Sequence, residues 1–390
     1  MGNPERRHGL PCRRFHFGIA PPCYRPQMRV LYLTDRISHR GGAQHHLLDT
    51  IAALAPAHDI IVAAAAMDSG IALPEGVQFE RVSGLRSSVA SDKGLKRLAP
   101  LLEWADVVHS QNVMNPTALS LSTTAKTVVT IQDHRVFCPG PGKTLPSDAD
   151  CTTRMSEADC ADCLPDAAYR SRMLTLTAAR LGAIQRASTV IVLSKYMADE
   201  LSRVGIDNTQ IIPPPVALGS SKSDPGTGFV IAGRLVHHKG TDLAIEAWRT
   251  AATDHPLTLA GLGPAGEEHQ DIVTAGWLER SALRTALSDA RAVLFPARWQ
   301  EPYGIVGVEA LAMGTPVIAM VRGGMSDWAH TGTISVPPGD TAAMASAIQS
   351  MASNPAQAHA LGAAGQRWVG ETLKPDALAS RIEAVYSELV

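Results

Sequence analysis

The stretch from Ala292 to Met320 limits the fold more than any other part of this 390-residue chain. An apolar run, Ala292 to Phe295, ends at Pro296. The segment Glu301-Pro302-Tyr303-Gly304-Ile305-Val306-Gly307-Val308-Glu309 then sets two acids about an apolar, glycine-containing centre. A helical run follows to Met313, and Gly314-Thr315-Pro316 stops it, because glycine just past a helix and proline soon after are ordinary terminators. A second apolar run, Val317 to Met320, comes next. Strand, loop, helix and strand in so few residues imply neighbouring parallel strands. In an open sheet of this kind the loop carrying Glu301 lies at the carboxyl edge, where ligands bind. The helix start at Gly304, Ile305 and Val306 offers free N–H groups and a partial positive charge, which suits a phosphate.

A second device lies upstream. An apolar strand over 229–232 leads into Gly233-Arg234-Leu235-Val236-His237-His238-Lys239-Gly240, and a helix opens at Thr241. Arg234 and Lys239 flank a turn directly after a strand. A diphosphate needs such cations there, one as a planar fork and one as a point charge.

The N-terminal half repeats the alternation. Strands are expected over 29–34, 59–65, 78–82, 106–108, 127–132 and 189–193, with helical stretches between them. Gly41 and Gly42, between the first strand and a helix to about Leu54, form a phosphate-approach turn in outline. Long helices are expected over 166–186 and 375–389. The chain therefore divides into a tail (1–27), an N-terminal domain (28–213), a linker (214–227), a C-terminal domain (228–374) and a final helix (375–390).

Gly233-Arg234-Leu235 with Lys239-Gly240, followed by Glu301-Pro302-Tyr303-Gly304 and Glu309, resembles the donor-binding half of a family 4 retaining glycosyltransferase. The Glu-x7-Glu spacing carries the resemblance, which extends over nearly all of the chain after Met28. It implies the α/β GT-B fold, two Rossmann-like domains with parallel sheets facing across a cleft, the last helix crossing back to the first domain. It also implies a nucleotide-diphosphate sugar as donor and co-substrate. The acceptor would be a glycan, a lipid-linked group or a small molecule with a free hydroxyl. By the same resemblance Glu309 binds the ribose hydroxyls, Glu301 contacts the donor sugar, and Gly41, Gly42 and Gly263 let the backbone approach the donor. The base would rest near Trp277, and no cofactor or metal is needed for catalysis. The family often places a His-Asp pair after the strand ending at Ile131; here that position holds Gln132 beside Asp133. Gln132 can hydrogen-bond a sugar hydroxyl but cannot carry charge. His134 is the alternative, its bland reading being a loop histidine bonded to the backbone. Two rival functions remain on the residues alone: a sugar-nucleotide epimerase of the same fold, or a non-catalytic sugar-nucleotide-binding protein.

Four of the six cysteines, Cys138, Cys151, Cys160 and Cys163, fall in or beside a polar insertion over 138–165. Four thiolates could hold a structural zinc tetrahedrally; free or redox-active thiols are the alternative. Net charge is −2, so no basic field invites nucleic acid. Only 18% of residues are charged, which leaves room for a partner or a peripheral membrane contact. Residues 1–27 hold five arginines against one glutamate and read as a disordered tail, or as sequence ahead of a true start at Met28; a basic arm for anionic lipid is the alternative. No apolar run reaches the roughly 18 residues of a membrane span. The expected location is cytoplasmic, with the inner membrane face as a variant of that reading.

Overall fold

The computed structural model describes residues 27–86, 94–123, 126–263 and 270–390. The expected tail, with Cys12 and Cys23, lies outside the described residues apart from Gln27.

The first domain is built from β1 (Arg29–Thr34), α1 (Gly42–Leu54), β2 (Asp59–Ala64), β3 (Gln78–Arg81), α2 (Leu98–Trp104), β4 (Val107–Gln111) and α3 (Pro116–Ser122), then β5 (Thr127–Ile131), α4 (Ala167–Ile184), β6 (Thr189–Val192), α5 (Lys195–Ser202) and β7 (Thr209–Ile211). Its seven strands are all parallel, in the order β3-β2-β1-β4-β5-β6-β7. The second domain comprises β8 (Phe229–Ala232), α6 (Thr241–Ala251), β9 (Leu257–Ala260), β10 (Ile272–Gly276), α7 (Arg280–Asp289), β11 (Ala292–Phe295), α8 (Ile305–Ala312), β12 (Val317–Met320) and β13 (Thr333–Val336). The helices α9 (Thr341–Ser353), α10 (Pro355–Thr372) and α11 (Pro375–Leu389) complete the chain. Its six strands are also parallel, in the order β10-β9-β8-β11-β12-β13.

Both sheets obey one logic. Strands such as β1 and β11 are buried nearly end to end, because helices cover both faces of a parallel sheet. Chain direction across the sheet reverses between β1 and β4, and again between β8 and β11. These switch points open a crevice outside the carboxyl ends of the strands. The loops after β8 and β11 are the two devices read from the sequence, so both sit at one switch point.

The segment 214–227 is irregular but firmly attached. Val216 N donates to Leu373 O at 3.0 Å, Gly219 N to Ala312 O at 3.0 Å, and the Lys222 ammonium to Ala290 O at 2.6 Å. One apolar cluster runs from Tyr32 and Ile51 through Val216 and Val308 to Tyr386, joining both domains. Helix α11 inserts Tyr386 into this cluster, fully buried, beside β1 and β4. The Tyr386 hydroxyl lies 2.9 Å from Tyr32 Oη and 2.6 Å from His109 Nδ1; His109 Nε2 lies 2.6 Å from Thr130 Oγ1. Burial pushes the His109 pKa down to about 3, so the ring is neutral and can accept as well as donate.

Tyr386→Phe should destabilise the protein by about 1–3 kcal/mol, since two buried polar groups lose their shared partner. Urea unfolding measures this; a variant as stable as the parent would show that the hydroxyl network contributes nothing.

Candidate active site

The carboxyl edges of the two sheets enclose a cleft of about 540 Å³. Gly41 and Gly42 line it from the first domain, with Gln132 and Asp133 beside them. From the second come Gly233, Arg234 and Lys239, then Glu301, and the start of α8 at Gly304, Ile305 and Val306, with Glu309 one turn on. Residues more than 250 positions apart in sequence thus face one space.

Local structure explains the placing. Gly304 caps α8 at φ 84°, a left-handed conformation that favours glycine. The amides of Ile305 and Val306 are among the first of the helix and have no intrahelical acceptor. Gly42 packs against Ile305 across the cleft, where an added Cβ would come within 3.2 Å of its Cδ1. A side chain there would hold the two edges apart. Ser194, the N-cap of α5, donates across the cleft to Pro302 O at 2.6 Å, and Asp327 accepts from Lys195 N at 2.8 Å.

The charges are arranged with care for desolvation. Glu301 is buried, 3% exposed. Its Oε1 accepts from the Lys239 ammonium and from the Trp299 indole N–H, each at 2.6 Å. The ammonium also sits 4.7 Å from the Trp299 ring centroid, a cation–π contact. Arg234 is exposed, and one guanidinium nitrogen lies 3.4 Å from His238 Nε2. Burial, then the charges of Lys239 and Arg234, push His238 down to about 4 and keep its ring neutral. Glu309 is 6% exposed, and burial pushes its pKa up to about 7. Arg280 draws it down and Asp49 pushes it up. Those two residues themselves pair in two hydrogen bonds of 2.6 and 2.5 Å, joining α7 to α1.

Three sequence expectations meet different surroundings. His134 is 2% exposed and lies behind the cleft, its Nε2 3.1 Å from Tyr196 Oη and its ring against Trp299. Burial pushes its pKa down to about 4. Gly263 approaches the Leu235 carbonyl, where a Cβ would stand only 2.2 Å from the oxygen, so the packing there also requires a residue without a side chain. The candidate zinc ligands Cys138, Cys151, Cys160 and Cys163 are free thiols. Among the described residues no group of three or more His, Cys, Asp or Glu side chains is arranged to hold a metal ion. Burial raises the thiol pKa of Cys160 and Cys163, and so do the neighbouring thiols.

Sequence reading missed His46. Its Nδ1 accepts from the Gln132 side-chain amide, and burial holds the ring neutral with a pKa of about 4. It also missed the Asp49–Arg280 pair, for which a separation of 231 residues leaves no local signal.

Two Rossmann-like domains whose sheet edges meet at a cationic, helix-capped cleft define the GT-B class. Family comparison agrees. "Glycosyltransferase Family 4" matches residues 40–219, and "Glycosyl transferases group 1" matches residues 226–354. The chain belongs to the family 4, group 1 glycosyltransferases. Glycogen synthase of Mycobacterium tuberculosis is 29% identical over 203 residues, covering 45% of this chain and 48% of that protein. A GDP-mannose-dependent alpha-(1-6)-phosphatidylinositol monomannoside mannosyltransferase of Mycolicibacterium smegmatis is 30% identical over 42% of this chain and 50% of its own length. The chain thus spans about half the length of these curated relatives. In structure it is similar to Anabaena HepE in complex with UDP and glucose, with a TM-score of 0.67 at 16% identity, covering 93% of this chain and 100% of that one. Sucrose-phosphate synthase from Thermosynechococcus elongatus gives a TM-score of 0.67 at 18% identity, over 93% and 99%.

Glu309→Gln tests the buried carboxyl. Its folded pKa near 7 exceeds the ordinary 4.5, so the folded state keeps a proton that the unfolded chain sheds. The associated stability is complete at low pH and is lost as the pH rises from about 4.5 through 7. The glutamine variant should therefore be more stable than wild type at pH 8, by on the order of 1–3 kcal/mol, and equal to it at pH 4. Denaturant unfolding at the two pH values checks this; a destabilised variant at pH 8 would contradict it.

Proposed function

We propose that the protein is a retaining glycosyltransferase that moves a sugar from a nucleotide-diphosphate donor to an acceptor hydroxyl, in glycan or polysaccharide synthesis. The observation that carries this reading is the convergence of Arg234, Lys239, Glu301, the start of α8 and Glu309 on one cleft.

The chemistry follows from that arrangement. Glu309 takes the ribose hydroxyls, and the apolar wall near Trp277 takes the base. Arg234, Lys239 and the amides of Ile305 and Val306 hold the diphosphate. As the C1–O bond breaks, its electron pair passes to the phosphate oxygen and C1 gains oxocarbenium character. The fixed cations and amides match that growing negative charge, and each such donor is commonly worth about a hundredfold or more in rate. Lys239 and Trp299 both bond Glu301 Oε1, which reserves Oε2 for a donor-sugar hydroxyl. An incoming phosphate oxygen competes with Glu301 for the ammonium, so donor binding and the orientation of Glu301 are coupled. The acceptor oxygen then bonds C1 on the face the diphosphate leaves, and its proton goes to the departing phosphate oxygen. No strong protein base is needed on this route, consistent with Gln132 in place of a histidine.

No described helix is long and apolar enough to cross a membrane. A lipid-linked acceptor would then be met at the cytoplasmic membrane surface.

Lys239→Ala and Arg234→Ala should each lower transfer at least about a hundredfold while the circular dichroism spectrum stays native. The assay follows release of nucleoside diphosphate from a panel of nucleotide sugars. Near-wild-type turnover in both variants would refute the site.

A further inference from the structure

The cysteine-bearing segment 138–165 belongs to the first domain, yet several of its polar groups reach into the second. We propose that Asp148 and Asp150 are positioning residues for the transfer reaction, holding the Glu301 loop of the second domain in its working place against the first. The proposal rests on the transferase reading above, and its test separates the two.

The contacts converge on one short stretch of loop. The Asp148 carboxylate accepts from Arg298 Nε at 3.0 Å and lies 3.1 Å from His237 Nε2. The Asp148 carbonyl accepts from Arg322 Nη1 at 2.7 Å, and Asp150 pairs with the other end of the same guanidinium. Thr144 Oγ1 accepts from Gln300 N at 3.2 Å. Arg298 and Arg322 are only 10% and 8% exposed at the side chain. Each arginine already knits the donor site together. Arg298 pairs with Asp242 and donates to His237 O, while its own N–H reaches His238 O, so it ties the phosphate loop to the Glu301 loop. Arg322 donates to Arg298 O and precedes Gly323 and Gly324; Gly323 bridges Glu301, and Gly324 N donates to Glu301 O at 2.6 Å. Asp148 and Asp150 therefore act on the segments that carry Lys239 and Glu301 without lining the cleft themselves.

The backbone of the segment carries a further sign. Asp148 has φ 64° and Lys143 φ 56°, a left-handed conformation that non-glycine residues seldom adopt. Such conformers persist only where surrounding contacts over-determine them. Here Asp148 is held by three side chains of the other domain. Isolated exposed ion pairs add little to stability, but a network on largely buried guanidinium groups fixes geometry. Geometry is what a transfer step is sensitive to, since small misplacements of reacting groups cost large factors in rate.

The test uses the full chain with Asp148→Asn and Asp150→Asn combined, and Asp148→Glu alone. Turnover with the active nucleotide sugar, calorimetric binding of UDP and GDP, and amide exchange are measured. The double variant should lose about tenfold or more in kcat. Its affinity for the nucleoside diphosphate should shift less than about threefold, because Arg234, Lys239 and α8 are untouched. Exchange in peptides covering 297–303 and 322–325 should quicken while β1 and β8 stay protected, and Asp148→Glu should recover part of the rate. Unchanged kcat with unchanged exchange overturns the proposal. So does a loss of rate matched by loss of nucleotide affinity and by faster exchange throughout, which marks a merely structural role. Should the wild type turn over no nucleotide sugar, the transferase reading fails, and local exchange alone decides whether Asp148 and Asp150 hold the loop.

Discussion

A parallel sheet covered on both faces by helices exposes only its strand ends, and that constraint governs where this protein can do chemistry. Order reverses between β1 and β4 in one sheet and between β8 and β11 in the other. The loops after β1, β8 and β11 border the cleft, joined there by the loop after β5, while the loop after β4 is buried within the first domain. Helix α11 then fixes which edge meets which. Its Tyr386, buried beside Tyr32 and His109, makes the end of the chain part of the first domain's core. The polar site is in this sense built by apolar packing far from it.

For the phosphate-binding role proposed above, the electrostatic problem within the cleft is to keep cations available without leaving buried acids unpaired. Lys239 answers it by lying between a carboxylate and an aromatic face. Neither partner holds it as firmly as a desolvated, isolated ion pair would, because Trp299 also serves Glu301 by a hydrogen bond. The surrounding histidines are kept neutral by burial: His46, His134 and His238 all titrate near 4. They add polarity without adding positive charge that would compete for the phosphate. Trp299 touches His134, His238 and the Lys239 ammonium at once, so one indole sets several site groups.

Much of this was legible in the residues. β1, β2, β8, β11 and β12 are short apolar runs because both of their faces are buried, and the loops after β8 and β11 carry charged residues at fixed spacing. What escaped detection has physical reasons. β4 runs two residues beyond the apolar Val107-Val108 pair and one further, through His109, Ser110 and Gln111, all buried. Their polarity hid the second half of the strand, and internal partners such as Tyr386 and Ser122 make that polarity tolerable. β7 is three residues long with little buried apolar surface, so its pattern is faint. The insertion was read through its thiols, whereas the structure employs its acids, Asp148 and Asp150, whose partners lie up to 174 residues away. Pairing at that range leaves no periodicity to detect.

Glu309 shows how function and stability pull against each other here. A carboxyl at the inner end of the cleft loses hydration, and the ionised form gains back only part of that loss from Arg280. Arg280 is shared, since Asp49 holds both of its terminal nitrogens. If Arg280 were free to pair with Glu309 alone, the acid would ionise readily but would offer its oxygens to a guanidinium rather than to a ligand. Spending that arginine on α1 instead leaves Glu309 uncommitted and ties the two domains at the same point. A buried, underpaired acid in a cleft is costly to keep, and such cost is characteristic of sites shaped by binding rather than by packing.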